Sequence, residues 1–171
     1  MFNKYIKIAI AVAILAWSVY EFTLKHIGNG ISLILLAGIF VFFYFKNEFL
    51  LLAFLRLRKQ DFPGAEKWLN FIKNPSTALV KKQEGYYNFL HGLIVSQTNL
   101  TQAEKYFKRA LNLGLSMSHD RAMATLQLAG LAMAKRRKRE ATTLLAEAKK
   151  LDKHGILTDQ IRMLKDQMKK I

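Results

Sequence analysis

Three stretches, PGAEKWLNFI (63–72), LTQAEKYFKRAL (100–111) and REATTLLAEAKKL (139–151), place an alanine at 65, 103 and 141, at a constant interval of 38 residues. Each alanine is followed at the fourth residue by Leu69, Phe107 or Leu145, and at the seventh by Ile72, Ala110 or Ala148. The spacing i, i+4, i+7 is one face of an α-helix, so the pattern predicts three amphipathic helices with a small residue at the point of closest packing. A fixed period of this size marks a chain assembled from repeated helical units.

Working outward, Gly92 and Gly130 stand eleven residues before the second and third alanines, in the apolar segments FLHGLIV and QLAGLAM. Each unit therefore reads as a pair of helices. Glycine inside a helix costs about 1 kcal/mol, which argues that both glycines serve close packing against the partner helix. The first unit has Phe54 at this place. Pro63 can open a helix, and Thr101-Gln102-Ala103-Glu104 has the form of a capping box. The units are expected at about 48–74, 78–113 and 117–152. Residues 158–171 then carry Ile161, Leu164, Met168 and Ile171 on one stripe with lysines opposite, the pattern of a terminal capping helix.

On Gly92, Leu100, Ala103, Phe107 and Ala110, and on Gly130, Ala141, Leu145 and Ala148, the chain resembles the tetratricopeptide repeat family from about Phe49 to Asp152. The resemblance implies stacked helix hairpins forming a right-handed superhelix with a concave groove that binds proteins. It implies that Tyr86, Phe89, Leu93, Ser96 and Gln97 of the second unit, and Gln127, Leu131 and Lys135 of the third, face that groove. Phe89 and Leu93 stand where the family's carboxylate-gripping members carry polar or cationic residues, so that clamp is not expected. The chain departs from the family in its period, in a glycine-to-alanine interval one residue short, and in lacking the closing proline after units two and three.

Ahead of the repeats, residues 5–20 (YIKIAIAVAILAWSVY) and 31–45 (ISLILLAGIFVFFYF) are strongly apolar. They predict a transmembrane hairpin over residues 1–46, with spans at about 5–22 and 29–47. Gly28-Asn29-Gly30 supplies conformational freedom for the reversal, and Tyr5, Trp17, Tyr20 and Tyr44 suit the interface. Lys4 and Lys7 before the first segment, and Lys46, Arg56, Arg58 and Lys59 after the second, place both ends in the cytosol at the inner or plasma membrane. A cleaved signal peptide ending near Ala16-Trp17-Ser18 is the competing reading. After Glu48, FLLLAFLRLR either continues the second span or bends beneath the headgroups. The expected fold is all-α: the hairpin, then a cytosolic α-solenoid (47–171) of about three helix-turn-helix units and a cap.

The formal charge of +15 is uneven, +2 over residues 1–50 and +13 over 51–171. Its densest run, Lys135-Arg136-Arg137-Lys138-Arg139, fits anionic lipid, nucleic acid or an acidic partner, and a solvated turn explains it equally. The chain has no cysteine, and His91, His119 and His154 are scattered without paired carboxylates. No phosphate loop or nucleophile elbow occurs. Expected, therefore, is no enzyme and no cofactor, but an adaptor that holds an unidentified protein partner, possibly itself a membrane protein, at the bilayer. The alternative is a basic surface module binding anionic lipid or nucleic acid through 135–139.

Overall fold

The computed structural model describes residues 4–45 and 47–169. The side chains at 4, 5, 7 and 43–45 lie outside the described set, as do Lys46 and Ile171. Expectations resting on Lys4, Tyr5, Lys7, Tyr44, Lys46 and Ile171 thus fall outside it. The chain folds as two units, 1–83 and 84–171, and the described residues are all-α, with no strand among them.

The first unit opens with α1 (Lys4–Thr23) and α2 (Ile27–Phe45). They meet along a seam of small residues at seven-residue spacing: Ala11 and Ser18 on one helix, Gly30 and Ala37 on the other, all buried. The Ser18 hydroxyl donates to the Gly30 carbonyl at 2.9 Å. Nearly every large side chain points outward, with Val12, Trp17, Val19, Ile27 and Leu35 each about 60% exposed or more. Counted over the described residues, no helix is long and apolar enough to cross a membrane.

The reversal is not made by Gly28-Asn29-Gly30, which lie in the first turn of α2. Lys25 makes it, at φ 61°. The Lys25 N–H bonds Phe22 O and the His26 N–H bonds Glu21 O, the paired bonds of a Schellman ending. Gly30 is needed for proximity, since a Cβ there would lie 2.7 Å from the Phe22 ring.

Asn47 then interrupts the helix. Its backbone is extended (ψ 127°) and its side chain accepts the N–H groups of Phe49 and Leu50, so α3 (Glu48–Arg58) is a new helix and not a continuation of α2. Gln60, at φ 58°, closes α3 with a second Schellman ending. Asp61 caps α4 (Phe62–Asn70), with Pro63 in its first turn. Leu50 and Ala53 of α3 and Ala65 and Leu69 of α4 are buried, and the rings of Phe49, Trp68 and Phe71 cluster with centroids 5.6–6.1 Å apart. A short α5 (Pro75–Ala78) follows, and α6 (Lys81–Val95) crosses into the second unit.

There, α6 is joined to α7 (Leu100–Leu113), α8 (Ser118–Ala134), α9 (Lys138–Leu151) and α10 (Thr158–Lys169). Ala103, Phe107, Ala110, Ala141, Leu145 and Ala148 are wholly buried. A Cβ on Gly92 would come within 2.8 Å of the Phe107 ring, the close approach expected of it. Gly130 differs, because a Cβ there would meet nothing within 4 Å, so packing does not account for that glycine. The cap of α7 also departs from expectation. Asn99 accepts the N–H groups of Thr101 and Gln102, which leaves Glu104 free of capping duty. Ile161 is buried against α8 and α9, with Leu164 and Met168 beside it.

Candidate functional site

Glu104 of α7 is the centre of the charged structure of the second unit. Its side chain is only 13% exposed, and it receives Lys108 at 2.7 Å, Lys135 at 2.7 Å and both terminal nitrogens of Arg137. Arg137 also reaches Glu140 at 2.8 Å. Arg137 first, and Lys108 and Lys135 with it, hold the Glu104 carboxyl well below the usual carboxylate range against the opposing cost of burial. The same pairing lifts Arg137 above its ordinary value.

The geometry arises from the α8–α9 turn. Arg136 takes φ 58°, and the N–H groups of Arg136 and Arg137 bond Met133 O and Ala132 O at 2.8 Å, again a Schellman ending. That turn directs Lys135 and Arg137 to one side, toward α7. The run 135–139 is therefore split. Lys135 and Arg137 are half-buried and neutralised locally, while Arg136, Lys138 and Arg139 are exposed. It is not the five-cation patch that a linear reading presents.

The expected groove is also divided. Phe89 is 4% exposed and packs edge-on to Phe107 at 6.0 Å, and Leu131 is 5% exposed. Both are core, because their helix faces meet neighbouring helices, and neither offers a contact surface. Tyr86 is half-buried and donates its hydroxyl to Asp120 across the α6–α8 gap. Burial first, and then that carboxylate, push its phenol up to about 12. Leu93, Ser96 and Gln127 are half-buried and Gln97 is exposed, with the Ser96 hydroxyl turned back to Leu93 O at 2.7 Å. Of the eight groove candidates, those four retain access to solvent without an ionic or core engagement.

The Glu104 network was not foreseen in the sequence. Its only local signal is the Glu104–Lys108 spacing of i, i+4; the partners at 135 and 137 come from another helix pair. Among the described residues, no group of three or more His, Asp or Glu could hold a metal ion. An opening of about 530 Å³ lies in the first unit beside α4, lined by Lys67, Phe71 and Lys73 among others.

No family model, curated protein or solved structure matches the chain.

Proposed function

We propose that the chain is a membrane-anchored helical-repeat adaptor, embedded through α1 and α2, with its helix pairs presented on the cytosolic face to a protein partner. The observation that carries the anchor is the inside-out hairpin. Its buried seam is Ala11, Ser18, Gly30 and Ala37, while isoleucines, leucines and aromatics face outward. In water such a pair would expose its entire hydrophobic payload and bury little. In lipid, where apolar contact between helices gains nothing over contact with acyl chains, small residues at the seam are the usual solution. The partner reading rests on the repeated helix pairs and their likeness to the tetratricopeptide pattern.

The test of the anchor is alkaline carbonate extraction of membranes carrying the whole chain. Retention in the pellet is the expected result, and release into the supernatant overturns the anchor. For the partner, photo-crosslinking from Leu93 and Gln97 should capture one protein at physiological salt. Capture of nucleic acid or lipid from Arg139, abolished by salt, would instead favour the basic-surface alternative. That alternative is weakened by Glu104, which occupies two of the five cations on which it depends.

A further inference from the structure

Helix α3 leaves a second apolar face uncovered. Leu50 and Ala53 point inward, but Leu51, Phe54 and Leu55 are 46%, 46% and 45% exposed. Their spacing of i, i+3, i+4 puts them on one stripe, with exposed Arg58 next along it at i+7. A lone exposed leucine needs no explanation, whereas a contiguous apolar stripe marks a contact surface.

Two features choose the occupant. The first is the break at Asn47, which starts α3 as a separate capped helix three residues after α2 ends. A helix extending straight out of the bilayer would need no such cap. The second is charge. Residues 47–83 carry seven Lys and Arg against three Asp and Glu, a net +4. Lys59, Lys67 and Lys73 are exposed, and Asp61 is taken by Arg56 at 3.1 Å. A second copy of this chain would bring the same positive charge to the contact. Anionic headgroups supply the complement, and an apolar stripe that runs into cations, here Arg58 and Lys59, is the surface of a helix lying in the interface plane.

We infer that α3 is an interfacial helix, with Leu51, Phe54 and Leu55 set into the headgroup–acyl boundary of an anionic leaflet and the neighbouring cations on its phosphates. The inference rests on the anchored hairpin proposed above. It adds a lipid-binding surface in the first unit, distinct from residues 135–139.

The chain has no cysteine, so single substitutions can be labelled cleanly. The full chain is incorporated into phosphatidylcholine vesicles with and without phosphatidylglycerol, carrying an NBD fluorophore on Leu55→Cys or, separately, on Leu36→Cys in α2. With the anionic lipid, the label at 55 should shift to the blue, lose iodide quenching and gain quenching by brominated acyl chains. Without that lipid it should return toward the aqueous signal, while the label at 36 is shielded in both. A label at 36 that is shielded, with one at 55 that stays aqueous, overturns the interfacial helix and leaves the anchor standing. Aqueous signals at both overturn both. Shielding at 55 that ignores brominated lipid and disappears on diluting the protein assigns the stripe to a second copy and overturns the lipid assignment. Shielding at 55 that is equal in neutral vesicles overturns the anionic component.

Discussion

At Gly92 and Gly130 the same residue type has opposite consequences. Alanine at 92 would drive a methyl into the Phe107 ring, and Gly92→Ala should lower stability by about 1–3 kcal/mol through overpacking. Alanine at 130 meets open space, and Gly130→Ala should raise stability by up to about 1 kcal/mol through helix propensity. Urea denaturation of the two variants in mild detergent, followed by helical circular dichroism, checks both signs at once. Glu104 yields a pH prediction. Its folded pKa lies below the unfolded glutamate value of about 4.3, so its contribution is complete above that pH and is lost as pH falls toward the folded value. Glu104→Gln should therefore cost about 1–3 kcal/mol at pH 7. The gap from the parent protein should narrow steadily below about pH 4, measured as denaturation midpoints from pH 7 to 3.

Between elements, the structure is held by a few ties that cross helix pairs. Tyr86 joins α6 to α8 through Asp120, and Tyr86→Phe should cost about 0.5–1.5 kcal/mol. Because the phenol is raised, its contribution is present below about pH 10 and is lost as pH rises through about 12. Ultraviolet titration should show Tyr86 ionising late, as Tyr87, which burial also raises, does beside it, and Asp120→Asn should bring only Tyr86 partway down, leaving the larger share that burial imposes. The turns behave alike. Lys25, Gln60 and Arg136 each hold a left-handed conformation that a glycine adopts without strain. Gln60→Gly, which changes no charge, should gain about 0.5–1 kcal/mol in thermal or urea unfolding, in contrast with the loss glycine causes inside a helix.

For the whole molecule, the helical character and the buried alanine faces were legible from the 38-residue interval, because i, i+4, i+7 spacing is enforced by the helix itself. Pro63 likewise announces a helix start in local sequence, while its cap, Asp61, was found only in the structure. The candidate site was much less legible. Phe89 and Leu131 look like groove residues until neighbouring helices cover them, and the basic run looks uniform until Arg136 turns its neighbours apart. The Asn99 cap was missed because Thr101 and Glu104 satisfy the capping-box spacing equally well in one dimension. Glu104 was instead drawn to cations more than thirty residues away.

Periodicity, turn residues and charge distribution are properties of neighbours along the chain, and so the sequence by itself determined an all-helical protein with an apolar N-terminal pair and a basic remainder. Which side chains are covered, which cations are neutralised and where the second helix ends depend on residues far apart in sequence meeting in space. Only the tertiary structure decided those, placing the reversal at Lys25 rather than at the glycines, interrupting the helix at Asn47, and spending Lys135 and Arg137 on a part-buried carboxylate.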